Sequence, residues 1–278
     1  MSEQSAHSVP QLFYIFALIS MFYMAYNLRR LFTVQIGKPD NRSLNLLSQL
    51  YNSLSFGIGQ KKVYSKRFTY ASIMHFLIGW GFIELTFATT VDFFAAQGIF
   101  KEYLPGFDTP WFAWLNDTGG MMLIVGCMMA LFRRHYIKPD ILPQNNLSGR
   151  GTFLGDSGIL FFLVFLSIGG FFTEAARLAV EQPPTAHWSW VGYLLSKLTT
   201  QANWVALKPY MWWGHAITSL IFISLIPMTK MFHVIAVVVN VALTNRKKRG
   251  LLKSMNISEI MENPNADIEN ISLGASNV

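Results

Sequence analysis

Apolar residues gather into five stretches of near-continuous hydrophobicity, residues 11–32, 70–94, 119–133, 153–177 and 209–243, separated by clusters of Lys, Arg, Pro and Trp. A bilayer core about 30 Å thick takes about 20 helical residues to cross, so each stretch is predicted to be a membrane-spanning α-helix, the third being short for the task. Helix is demanded because hydrocarbon offers no partners to backbone N–H and C=O groups. Residues 41–66 have a different rhythm. Leu44, Leu47, Leu50 and Leu54 recur at helical spacing among Asn, Ser and Gln, and Lys61-Lys62 follow, which predicts an amphipathic helix lying along the membrane surface. The connections 95–118 and 181–208 combine Pro105, Pro110, Pro183 and Pro184 with Trp111, Trp114, Trp188, Trp190 and Trp204, as aromatic-rich loops at headgroup level do. The predicted fold is therefore an all-α integral membrane bundle of five spans over residues 1–245, followed by a polar tail over 246–278.

Composition agrees with this pattern. The chain is 52% hydrophobic and only 13% charged, with mean hydropathy +0.33, against about 25% charged in soluble domains. Its net charge of +7 would suit nucleic acid, but the distribution argues otherwise. Eight Lys or Arg lie between spans one and two, four between three and four, and five after span five; the opposite connections hold only Lys101, Arg177, Lys197 and Lys208. The positive-inside rule then places the amino terminus outside and the tail in the cytoplasm. No nucleic-acid partner is needed. The first ten residues hold no Lys or Arg, so the first span reads as retained and not as a cleavable signal. Cys127 is the single cysteine, which excludes an internal disulfide or an iron–sulfur cluster on this chain.

Candidate chemistry centres on the histidines. His215 and His233 are eighteen residues apart, about five whole turns and roughly 27 Å along one helix. Both imidazoles therefore lie on one rail of the fifth span, a helix kinkable at Pro227, with one near each membrane face, as two stacked haems require. With the topology above, His75 in span two and His233 share the cytoplasmic side, where a ligand pair from antiparallel helices can build an interior cofactor site. Ionisable residues inside spans are costly and usually functional. Glu84 is read as a proton acceptor or as a hydrogen bond that locks the bundle. Glu174 and Arg177, three residues apart, can pair along a helix. Lys230 can snorkel to the interface. His135, after Arg133-Arg134, suits a headgroup contact, and the methionines suit packing.

Trp212-Trp213-Gly214-His215 followed by Ile226-Pro227-Met228-Thr229-Lys230-Met231-Phe232-His233 resembles the last helix of cytochrome b subunits related to the gamma subunit of respiratory nitrate reductase. Gly59-Gln60-Lys61, His75 with Trp80-Gly81-Phe82, Arg133-Arg134-His135-Tyr136 and Gly170-Phe171-Phe172-Thr173-Glu174 extend the resemblance, which is closest to the branch fused to or partnered by heterodisulfide-reductase-like iron–sulfur proteins. It covers roughly Leu28 to Asn240. The resemblance implies a haem-b protein of the prokaryotic cytoplasmic membrane that exchanges electrons between menaquinone or ubiquinone and a cytoplasmic iron–sulfur partner. His75 and His233 would hold the inner haem, and His215 the outer one; Glu84 would accept a proton from quinol, Glu174 and Arg177 would be candidates for quinone contact, and Lys230 would face a haem propionate if it does not snorkel. The nitrate reductase pattern places a further histidine where Leu85 stands, so the outer haem would be five-coordinate, take His187 as a sixth ligand, or be absent. The end of the tail, Glu269 to Val278, resembles the linker that leads into the iron–sulfur domain in fused relatives. Two rival readings are a transporter with a histidine and Glu84 proton relay, and a non-redox anchor for a partner.

Overall fold

The computed structural model describes residues 11–33, 46–61, 63–99, 103, 106–138 and 155–243. His7 and Leu44 lie outside them, as does the tail from residue 244. Within the described residues the chain is helical and has no strand: α1 (Gln11–Thr33), α2 (Leu46–Asn52), α3 (Thr69–Ala96), α4 (Pro110–Phe132), α5 (Gly155–Glu181), α6 (Trp190–Ser196), α7 (Gln201–Leu225) and α8 (Phe232–Leu243). Five segments are long and apolar enough to cross a membrane, Leu12–Arg29, Lys66–Ala95, Pro110–Ile137, Gly155–Glu181 and Gln201–Met228. Their outer faces stay apolar, with Leu18, Phe22, Phe161 and Phe165 exposed, which suits lipid and not water.

Successive spans run in alternating directions, as their contacts show. Gly81 on α3 meets Gly119 and Leu123 on α4, while Gly126 meets Ile78, so α3 and α4 are antiparallel. An added Cβ at Gly81 would stand 2.7 Å from the Gly119 carbonyl oxygen, and one at Gly126 2.8 Å from the Ile78 nitrogen. Glycine here lets backbones touch, the usual means of joining helices in lipid, where apolar side chains gain little by leaving the solvent. The Phe171 ring of α5 lies on Gly120 in the same way. Ser20 of α1 donates to the Leu220 carbonyl and pairs with Ser224, tying the first helix to α7. Leu123, Cys127, Ile159, Leu163, Phe222 and Met231 form the packed centre.

Three features depart from expectation. The third span is not short: Pro110 occupies the first turn, where its missing N–H costs nothing, so Trp111, Trp114 and Asp117 are helical and not part of a loop. Likewise α7 begins at Gln201 behind Thr200, whose hydroxyl accepts from the Asn203 amide, a standard N-cap. The fifth stretch is not one helix. After Leu225 the chain makes a 3₁₀ turn over Ile226–Met228, extends at Thr229 (φ −117°, ψ 172°) and restarts as α8. Pro227 has no N–H to continue the ladder, and the Thr229 hydroxyl accepts from the Met231 amide at the restart. His215 and His233 therefore do not share a rail.

The surface segment is helical from Leu46 to Ile58 and irregular from Gly59 to Ser65 where it is described. Leu46, Leu47, Leu50 and Leu54 are exposed, α2 runs into a π-helical turn over Ser53–Ile58, and Gly57 abuts Val238 of α8.

Candidate functional site

His75 lies near the start of α3, and His233 is the second residue of α8. The break at Pro227 to Met231 brings their rings together with centroids 6.4 Å apart and planes at 61°. Each ring is held through Nδ1. His75 Nδ1 is 3.0 Å from Gln60 Oε1, and His233 Nδ1 bonds the Lys230 carbonyl oxygen. Amide and carbonyl oxygens only accept, so these contacts favour, for a neutral imidazole, the tautomer with its proton on Nδ1 and the lone pair on Nε2. A histidine that ligates a metal is characteristically oriented in this manner.

In the sequence Gln60 stands out only as part of the Gly59-Gln60-Lys61 element of the resemblance. It has φ +50° and is 9% exposed. Its amide occupies the space over Gly79, where an added Cβ would lie 1.9 Å from Nε2. Gly79 is one turn beyond His75 on α3, so the missing side chain at 79 is what admits Gln60 to the ring at 75. On the other imidazole, Lys230 pairs through its ammonium with Asp156 Oδ1, and Arg134 pairs with Asp156 Oδ2 at 2.8 Å. This anchors the turn that carries His233. His135 does not join the pair; its Nε2 lies 3.3 Å from Ser157 Oγ.

His215 is placed elsewhere, in the middle of α7 and not near its end. Its ring lies on the Gly169–Gly170 surface of α5, with Nδ1 3.4 Å from a Cβ added at 169 and Cε1 3.3 Å from one at 170. Nδ1 is buried and lacks a hydrogen bond of ordinary geometry; the Leu166 carbonyl is the polar group beside the ring. The nitrogen-bearing edge thus faces α5 backbone. His187 is not brought to it. It sits in the 3₁₀ turn Ala186–Trp188 beside the Trp188 ring at 5.7 Å. Among the described residues no three His, Cys, Asp or Glu side chains converge as for a metal ion.

Carboxylates occupy two environments. Glu84 on α3 is half-buried against Gly119, whose lack of a Cβ makes room for it. Glu174 and Arg177 pair at the far end of α5, with Nε to Oε2 at 3.0 Å and Nη2 to Oε1 at 2.9 Å. The fork continues to Asp108 at 2.8 Å, and Ser189 Oγ donates to Glu174 Oε1 at 3.0 Å. Beside it lies Asp117, fully buried. Asp117 Oδ2 accepts from the amides of Val191 (2.6 Å) and Gly192 (3.1 Å), while Oδ1 has no partner among the described residues. The predicted start of the third span at residue 119 had left this residue in a loop. The only available signal was a lone carboxylate bordering an apolar run.

No family model matches this chain, and no solved structure matches it. It is similar to a protein of Syntrophomonas wolfei named EtfAB:quinone oxidoreductase, 23% identical over 215 residues that cover 72% of this chain and 28% of that relative. The chain therefore spans little more than a quarter of the relative's length.

Proposed function

We propose that this chain is the membrane cytochrome b part of a quinone-linked oxidoreductase, with one haem b held between His75 and His233. The distant relative's name supports a quinone-linked electron-transfer role, and five helices fit for a membrane support a multi-pass setting. The observation that carries the reading is the neighbouring pair of imidazoles. Their ring centroids stand 6.4 Å apart, near enough that both residues would hold one group between them. Bound there, haem supplies a one-electron carrier. Gln60 and the Lys230 carbonyl keep the protons on Nδ1, and the Asp156 ion pairs hold the turn that presents His233. Glu84, with no hydrogen bond among the described residues, is the proposed acceptor of a proton released by quinol.

His215 does not fit a second haem in this arrangement. A porphyrin on its nitrogen edge would require α5 and α7 to part at Gly169–Gly170, so the proposal stops at one haem. The electron partner is proposed to be an iron–sulfur protein on the cytoplasmic side of a prokaryotic inner membrane, reached from the His233 end of the bundle. The distribution of Lys and Arg supports that orientation.

Pyridine haemochrome quantification and reduced-minus-oxidised spectra of the purified chain test this. One haem per chain, lost in His75→Ala and His233→Ala and retained in His215→Ala, is expected. A folded protein without haem refutes it and leaves the proton-relay or anchor reading; two haems, one lost with His215, refute the single site.

A further inference from the structure

At the α6 end of the bundle, Trp114, His187, Trp188 and Trp190 line an open cleft of about 320 Å³. Small-molecule sites begin at about 300 Å³ and combine aromatic walls with a few polar groups that fix orientation. The walls come from two separate parts of the chain, Trp114 from α4 and the others from the segment that enters α6, and buried bonds fix their spacing. Asp117, three residues beyond Trp114, accepts from the backbone amides of Val191 and Gly192, the two residues after Trp190. Ser189, between Trp188 and Trp190, is tied to Glu174, which is itself gripped by Arg177. Glu174 also packs against Gly192, where an added Cβ would lie 2.7 Å from its Cγ. The cleft is thus built before any ligand arrives. An indole ring at a membrane surface needs only headgroups beside it; the buried carboxylates behind these indoles are more than anchoring to lipid requires.

We infer that this cleft binds the ring of a quinone, stacked on the indoles and hydrogen-bonded at a carbonyl oxygen by His187. Aromatic cages also take quaternary ammonium groups, but among the described residues that line this one there is no carboxylate, which favours a neutral planar ring. Imidazole is the lining group best able to donate to a carbonyl and, in its other tautomer, to accept from a hydroxyl, as the oxidised and reduced rings would need. Glu174, Arg177 and Asp117 are positioning residues for these walls and do not touch the ligand. The inference rests on the quinone-linked reading above and adds the location of the ring.

The test is photolabelling of the full chain in lipid nanodiscs with a short-chain azidoquinone, followed by peptide mapping and competition with the unlabelled short-chain quinone. Label on Trp114 or on residues 186–190, displaced by the competitor, is expected. Trp114→Ala and His187→Leu should each raise the half-saturating concentration about tenfold, a value in line with one lost aromatic or hydrogen-bonded contact. His187→Gln, which restores a donor and an acceptor, should return it to within about twofold. The haem content of all three variants stays at that of the wild type. Label elsewhere, unchanged affinity in His187→Leu, or displacement by choline and not by quinone overturns the inference. The two readings fail separately: His75→Ala removes haem yet keeps the label in the cleft, whereas a wild-type chain that carries haem but labels elsewhere sinks the cleft alone.

Discussion

Gln60 and Gly79 allow the proposed haem site to be tested through residues that would never touch the haem. Replacing Gln60 by Leu keeps a side chain of similar size over Gly79 but removes the acceptor of His75 Nδ1, now 3.0 Å away. A buried donor left without a partner costs about 1–3 kcal/mol, and loss of the group that orients a metal-bound histidine typically costs about 10–100-fold in affinity, about 1.4–2.8 kcal/mol. The two ranges agree. Because His75 is half-buried, water recovers part of the loss, so a decrease of about tenfold in haem affinity is expected. Gly79→Ala reaches the same bond from the other side. Its Cβ would stand 1.9 Å from Gln60 Nε2 and 2.9 Å from Cδ, so the amide must swing off the helix. The substitution should also gain up to about 1 kcal/mol in helix propensity, so haem affinity falls while the apoprotein is no less stable. Both changes break one interaction, and the double variant should therefore cost no more than the worse single one. Soret titration of apoprotein with hemin, beside SDS unfolding of the same samples, reads both quantities. Wild-type haem affinity in Gln60→Leu, or full additivity in the double variant, would refute the orienting role.

Asp117→Ala removes the acceptor for two amides and should lower stability by about 2–4 kcal/mol in SDS titration; a change under about 0.5 kcal/mol would contradict its part in holding α6. Arg177→Leu leaves Glu174 buried without its bidentate partner and should cost about 3–5 kcal/mol, with Glu174→Gln in the same chain recovering some of it. Gly126→Leu drives a side chain into the Ile78 backbone and should separate α3 from α4, seen as lower melting temperature and monodispersity, whereas Gly214→Ala, with nothing within 4 Å of its new Cβ, should be neutral or stabilising by up to about 1 kcal/mol.

Much of this protein was legible in the order of its residues. Five apolar runs predict five spans because the bilayer sets a length that composition alone must satisfy, and five of the described helical segments are long and apolar enough to cross. The meeting of His75 with His233 followed from the same topology, since alternating helices put the start of one beside the end of another. Other features needed the folded chain. The rail through His215 and His233 failed at Pro227: a proline in an apolar helix can bend it or end it, and the outcome was decided by Thr229 taking up the Met231 amide at the restart. Asp117 and Trp114 passed for loop residues because hydropathy penalises a carboxylate, while the amides of Val191 and Gly192 that satisfy it come from a segment more than seventy residues away. Gln60 is unremarkable in its local pattern. Its role exists only because Gly79 leaves a space over His75, and such a space is a property of packed surfaces, to which no single stretch of sequence holds both sides.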